Sequence, residues 1–385
     1  MMTNHHNITF LLDKKDIVLV KPSKPTSSGV LSLSSIDNGP GIDLLCHTVY
    51  VYKANVDFSH DDNHNDASSF SGQKDPAFVI REALSKVLVY YYPLAGKLKR
   101  NSDGNLQINC TADGVPFLVA NANCKLSSLH YLDGVDVEMA KQFVFDFPSE
   151  GDSAGYHALV LQVTKFSCGG FTIGMGMSHS VCDGFGATQF FRALAELASG
   201  KSEPSVKPVW ERERLVVTPI EEPLKFLVDK SSLATSPYIP TTDLLHECFH
   251  LFNPPLPVGY YGNAFASANV VLMGGELHEI TTLKEGFRQL NINFEASGAL
   301  MVLTDWRQLG LLEEVDFGWK GSINVIPLPW NMFGYVDLCL FLPSCNVDPS
   351  MKGGVRVFVS LPKAAMAKFK EEMDALKLGD DGTCV

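Results

Sequence analysis

Charge is scarce in this sequence, and what there is leans acidic. Only 19% of the residues are charged, with 43 Asp and Glu against 31 Lys and Arg, for a formal charge of −12. A surface that tracks phosphates needs clustered Lys and Arg, so nucleic acid is not the expected partner. A cationic ligand suits the background field better. Nine cysteines, at 46, 110, 124, 168, 182, 248, 339, 345 and 384, are odd in number and scattered, without a Cys-x-x-Cys pair. That lack excludes a metal ladder and a disulfide framework, and free thiols in a reducing compartment are expected. The first residues, Met1 to His6, have no basic region followed by an apolar core, so no signal peptide is expected. Nor is any apolar run long enough to span a bilayer. The reading is a cytoplasmic protein with no membrane partner and no internal repeat. With 45% hydrophobic residues over 385 positions, it can fill two domains, each with its own core.

What the sequence does have is one corner arranged for chemistry. An apolar, strand-like run from Phe171 to Met177 leads into Ser178-His179-Ser180-Val181-Cys182-Asp183-Gly184-Phe185-Gly186. A helix-like run, Ala187 to Ala198, follows. His179 alone among the histidines has an aspartate four residues later. A rigid element's end fixes the ring, and the glycines admit a close approach by ligand or backbone. A lone His-x-x-x-Asp is a weak pattern, and a histidine at a strand end is more often structural than catalytic. It does not build a zinc site, because no further ligands cluster with it.

The rest of the chain supplies context. Lys14 to Pro25 is basic and extended, and Leu31 to Gly41 closes in a turn. Leu44 to Tyr52 reads as a strand. The run from His60 to Asp66 reads as a solvated acidic loop rather than a metal site. Phe78, Ile80, Leu84, Val87 and Leu88 recur at helical spacing between Pro76 and Tyr91, and Pro93 ends that helix. Leu106 to Cys110 and Val115 to Val119 are expected as strands around an Asp113-Gly114 turn. A hairpin turning at Ser167-Cys168-Gly169-Gly170 should deliver His179 to its corner. Phe190, Phe191, Leu194 and Leu197 give the next helix a buried face. Six prolines between 204 and 240 mark a crossover linker over 201–242. Beyond it, Leu300 to Thr304 and Val355 to Leu361 look like strands, and Lys363 to Leu376 like an amphipathic helix.

Four stretches together resemble the BAHD family, the plant acyl-CoA-dependent acyltransferases. His179-x-x-x-Asp183 with Gly184 matches the family's catalytic motif. Asp316-Phe317-Gly318-Trp319 matches its second signature, with Lys320 where a glycine is usual. Tyr92 to Gly96, and Pro254 to Pro257 with Gly259 to Asn263, are also typical. Within the family, the segments Ser32–Asn38, Gln162–Phe171, Glu203–Arg214, Thr304–Arg307 and Asp348–Gly354 are similar to those of the spermidine hydroxycinnamoyl transferases. The resemblance implies a mixed α/β fold of two chloramphenicol-acetyltransferase-like domains with a channel between them. It divides the chain into an N-terminal domain over 1–200, the linker over 201–242, and a C-terminal domain over 243–385. It implies a monomer with no permanently bound cofactor and no metal, using acyl-CoA as co-substrate and spermidine as acceptor, or else a plant alcohol. By resemblance His179 is the general base. Asp183 supports the corner through an ion pair with an arginine from the other domain. Trp319 is either an oxyanion donor or a packed aromatic holding its loop. Two stretches that relatives carry are absent, near residue 250 and within 277–291, and the segment expected to supply that arginine goes with them. The second domain is therefore expected to be shortened, and a catalytically impaired relative stays open as a reading.

Overall fold

A computed structural model describes residues 10–39, 42–54, 75–134, 137–148, 155–216, 257–263, 301–312, 315–328, 337–347, 352–360 and 366–371. Strands β1 (Leu12–Lys14), β2 (Val18–Val20), β3 (Gly29–Ser32) and β4 (Leu45–Tyr52) come first. Helix α1 (Pro76–Val87) is followed by β5 (Lys97–Arg100), β6 (Leu106–Cys110) and β7 (Val115–Ala122). A single turn, α2 (Val137–Ala140), precedes β8 (Tyr156–His157), β9 (Leu159–Phe166), β10 (Phe171–Ser178) and α3 (Gly184–Ala198). The later described strands are β11 (Met301–Asp305), β12 (Asn324–Leu328), β13 (Asp337–Pro343) and β14 (Val355–Ser360).

The hairpin expected around Ser167–Gly170 is the centre of the molecule. Phe166 N–H donates to the Gly170 carbonyl at 2.9 Å, and Gly169 takes the left-handed conformation at φ 80°. β9 and β10 then run antiparallel in register from Phe171↔Lys165 to Met177↔Leu159. All eight residues of β10 are buried, which fits its unbroken apolar run. Around this hairpin the main sheet runs β1-β7-β9-β10-β4-β12, with β2 also on β7. β7 pairs with β9 in parallel, whereas the other pairs of this sheet are antiparallel. The fold is thus mixed α/β.

Two of the expected elements differ in the structure. β6 and β7 do form, but they are not partners. β6 lies in a four-stranded sheet, β3-β6-β5-β8, and β7 in the main sheet, so Asp113-Gly114 is a crossing between sheets. Gly114, at φ 103°, packs against the Val20 backbone, which explains why this passage needs glycine. Helix α1 stops at Val87, with Leu88 as its C-cap, and Tyr92–Ala95 form a separate 3-10 turn around Pro93. Ile80, Leu84, Val87 and Leu88 are buried as the spacing requires, but Phe78 stays exposed beneath Arg81. At the start of α1, Asp75 caps Ala77 N–H at 2.9 Å.

β12 carries the chain back into the first sheet after the linker, pairing with β4 from Asn324↔Val51 to Leu328↔His47. A three-stranded sheet, β11-β13-β14, sits beside it. Arg356 joins the two, its Nη1 donating to Asn324 Oδ1 at 2.6 Å and its Nε to the Pro343 carbonyl at 2.9 Å. Residues 366–371 are helical, within the helix expected over 363–376. The acidic loop at 60–66, the linker over 217–242 and both proposed gaps lie outside the described residues. Among the described residues, no helix is long and apolar enough to cross a membrane.

Candidate active site

β10 ends at Ser178, and the chain turns at once. Ser178 N–H donates to Ala158 O at 2.8 Å, and Val181 N–H closes a turn back onto Ser178 O at 3.0 Å. His179 sits on that turn with its residue half-buried, while Ser178, Ser180, Val181 and Cys182 around it are buried. Asp183 is the N-cap of α3. Its Oδ1 accepts the Gly186 N–H at 3.0 Å, and its carbonyl accepts the Ala187 N–H at 2.9 Å. Gly186 has no room for a side chain, since a Cβ would run into the Tyr261 carbonyl. Gly186 therefore lets α3 lie close to a strap, residues 257–263, from far along the chain.

Four contacts fix the backbone on either side of the imidazole. His179 N–H donates to Leu44 O at 2.9 Å, and Ser180 Oγ donates to Ile42 O at 3.2 Å. Asn263 Nδ2 donates to the His179 carbonyl at 2.7 Å and to Asp37 Oδ1 at 2.7 Å. Arg212 Nη2 donates to the Val181 carbonyl at 2.7 Å, while its Nε lies 3.2 Å from Asp37 Oδ2. Both charged groups are out of water, Arg212 at 1% and Asp37 at 0% side-chain exposure. Asp37 is itself held, its Oδ2 accepting Ser34 N–H at 2.9 Å and its N–H donating to Ser34 Oγ at 3.0 Å.

Aromatic rings enclose the guanidinium. Its carbon lies 4.3 Å from the Trp210 ring centre, 4.9 Å from Tyr260 and 5.0 Å from Tyr261. Burial acts against the charge, but Asp37 and the two tyrosine hydroxyls raise the Arg212 pKa above its ordinary value. The same burial pushes the Tyr261 hydroxyl and the Cys182 thiol far up, so neither ionises near neutrality. The strap is seated by Val209 N–H on Gly259 O at 2.8 Å, and by Gln189 Nε2 on the same carbonyl at 3.0 Å.

Asp37, Arg212 and Asn263 were not singled out by the sequence reading. Each falls inside a stretch that carries the family resemblance, but 37, 212 and 263 share no spacing. The one local signal is Gly262. A Cβ there would fall on the Arg212 guanidinium, so the glycine beside Asn263 marks where another group must pass.

The second signature lies elsewhere. Gly318, at φ 97°, turns the chain, and its N–H donates to Asp316 Oδ1 at 2.6 Å. Phe317 and Trp319 are buried in the main core. Phe317 meets Tyr52 edge-on at 5.7 Å and Phe191 at 5.4 Å, and Trp319 meets Phe171 edge-on at 5.2 Å. Phe171 begins β10, and His179 follows its other end. The seven extended steps from Phe171 to Ser178 span about 24 Å. Trp319 thus packs in the main core beside the start of β10. Lys320 takes φ 59°, the left-handed conformation that a glycine adopts without strain.

The segment expected to supply an arginine to Asp183 is absent from this sequence, and the next arginine after Arg214, Arg288, lies outside the described residues. Arg307, just after β11, is committed to Asp305 at 2.6 Å. A cavity of about 230 Å³ runs along α3, lined by Phe185, Gln189, Arg192, Glu196 and Leu309 among others. His179 is not among its lining residues. Acyl-CoA contacts were not predicted by residue, and nothing in the described geometry marks them.

Comparison with known proteins places this arrangement. The model of the transferase family matches residues 11–251 and 283–376. A spermidine coumaroyl-CoA acyltransferase of Arabidopsis thaliana is 36% identical over 460 aligned positions, covering 96% of both chains. A taxadien-5-alpha-ol O-acetyltransferase of Taxus chinensis is 31% identical, covering 93% of this chain and 95% of its own. Vinorine synthase has the same fold, with a TM-score of 0.62 at 21% identity, covering 93% of this chain and 96% of its own. The alignment with the Arabidopsis relative is longer than this chain's 385 residues, so that relative carries segments with no counterpart here.

Proposed function

This chain belongs to the transferase family, as one of the BAHD acyl-CoA-dependent acyltransferases, and from that premise we propose that it acylates spermidine. The group transferred is a hydroxycinnamoyl group, such as coumaroyl, caffeoyl or feruloyl, and the bond formed is an amide. The observation that carries this reading is the 36% identity, over 96% of the chain, to a spermidine coumaroyl-CoA acyltransferase.

In the proposed reaction His179 is the base. A polyamine nitrogen has a pKa near that of lysine, about 10.4, so in water it is protonated and not nucleophilic. It first gives up one proton to solvent, and the His179 imidazole is suited to take the second as the neutral nitrogen attacks the thioester carbonyl. The C–N bond forms, the tetrahedral centre collapses, and the C–S bond breaks. The proton held by His179 then passes to the departing CoA thiolate. What supports this role is a half-buried ring on a corner whose flanking backbone is tied at four points. Asp183 acts on the corner and on α3 rather than on substrate. The protein works as a cytoplasmic monomer, with acyl-CoA and the amine as its only partners.

A second reading is an O-acyltransferase on a plant alcohol, favoured by the 31% identical taxadienol acetyltransferase. A third is a catalytically impaired relative, favoured by the segments this chain lacks. The three separate in one assay series. Purified protein is given coumaroyl-CoA with spermidine or with a panel of alcohols, and the products are read by mass spectrometry. The amine reading requires the amide. Esters without amide would replace it by the second reading. Folded protein that forms neither, and whose melt CoA leaves unchanged, would establish the third.

A further inference from the structure

We infer that Asp37, Arg212 and Asn263 form a positioning unit that sets the orientation of His179 through its main chain. The inference rests on the reading of His179 as the base. Two side chains distant in sequence reach two carbonyls of the corner, those of residues 179 and 181, and a third, Asp37, meets both of them. Asn263 spends both hydrogens of one amide on this task, one on the His179 carbonyl and one on Asp37. Arg212 donates a hydrogen bond to the Val181 carbonyl and is held to the other oxygen of the same carboxylate as an ion pair, with Nε 3.2 Å away. Asp37 is thus the hub, and both routes to the corner pass through it.

A stabilising role alone accounts poorly for this chemistry. A buried ion pair is no more stabilising than apolar residues of the same volume, because both ions give up their hydration. What it offers is direction. The guanidinium is a planar group, and here it sits against the Asp37 carboxylate while one arm reaches the turn. Gly262 is empty where the guanidinium passes, and Trp210, Tyr260 and Tyr261 leave it little freedom. A ring held this way can be displaced by losing one remote hydrogen bond. Displacements of about 1 Å at a reacting group cost on the order of 100-fold in rate.

The test compares wild type, Asn263→Ala, His179→Ala and the double variant in acyl transfer from coumaroyl-CoA. Asn263→Ala should lower kcat by about 10–100-fold while KM for both substrates stays within about twofold. On the His179→Ala background the same change should cost nothing further, because the asparagine acts through the histidine. Full turnover by Asn263→Ala, or losses that multiply in the double variant, would overturn the inference. If Asn263→Ala does not fold, Arg212→Lys serves instead. Its ammonium can reach the carboxylate or the Val181 carbonyl but not both, so kcat should fall with the melt retained, and an unchanged kcat overturns the inference. Near-native rates in His179→Ala sink the base reading itself, whatever Asn263→Ala does. A fully active Asn263→Ala beside an inactive His179→Ala sinks only the positioning unit.

Discussion

Replacing Trp319 by phenylalanine separates packing from chemistry at the second signature. The indole is 4% exposed and stands edge-on to Phe171, in a cluster with Phe317, Tyr52 and Phe191. Truncating such a ring to alanine costs about 3–5 kcal/mol, and phenylalanine keeps most of its contacts, so Trp319→Phe should cost about 1–2 kcal/mol. Its catalytic effect should be nil, because about 24 Å of extended strand lies between Phe171 and the corner. An oxyanion donor behaves in the opposite way. Removing one costs about 10²–10³ in kcat, with stability nearly unchanged. The assay is therefore paired: the unfolding midpoint in urea, and kcat well below that midpoint. The packing account requires a lower midpoint with kcat retained. A hundredfold loss of kcat at an unchanged midpoint would refute it and return Trp319 to the reaction.

Other consequences follow from single contacts. Lys320→Gly relieves a left-handed residue at φ 59°, and should raise stability by about 0.5–1 kcal/mol after the added freedom of the unfolded chain; a lower urea midpoint would contradict this. Burial pushes the His47 imidazole pKa below its ordinary value, with Asp146, 3.4 Å from Nε2, offsetting part of the effect. The unfolded chain then takes up that proton first as pH falls below about 6.5, so this contribution is complete above 6.5 and declines below it. His47→Gln should flatten the stability profile between pH 7.5 and 5.5, and an unaltered slope would exclude His47 as its source. Asp183→Asn should keep the α3 cap and hence the melt, whereas Asp183→Ala should lose about 1 kcal/mol; equal melts for the two variants would contradict the capping role. Burial of its thiol raises the Cys46 pKa to about 12, so in the native protein at pH 8 it should resist alkylation although the residue is half-buried; prompt labelling of Cys46 would contradict this.

The parts of this fold that could be read in advance are those specified by neighbours in sequence. The β9–β10 hairpin announces itself through two apolar runs around Cys168-Gly169-Gly170, and α3 through Phe190, Phe191, Leu194 and Leu197 at helical spacing. His179 could be located because its corner, its aspartate and its glycines are contiguous. Elements specified by distant partners left no such trace. β6 and β7 read as a hairpin because local turn chemistry cannot say that the chain changes sheets at Gly114. β12 was not anticipated, since Asn324–Leu328 is a short apolar run whose place beside β4 depends on a pairing some 270 residues apart in sequence. Trp319 carried two readings because an indole suits both a core and an oxyanion, and nothing local in the sequence says which side chains surround it. Asp37, Arg212 and Asn263 are three isolated polar residues in sequence, and they become a unit only through burial around one carboxylate.

The central claim, amide formation with His179 as the base, meets its most direct test in one rate comparison. Folded wild type and His179→Ala are assayed with coumaroyl-CoA and spermidine, and the coumaroyl-spermidine amide is quantified by mass spectrometry. The account predicts amide from wild type and a loss of about 10²–10⁴-fold in the variant, with the melt unchanged. Equal rates from the two proteins would contradict it.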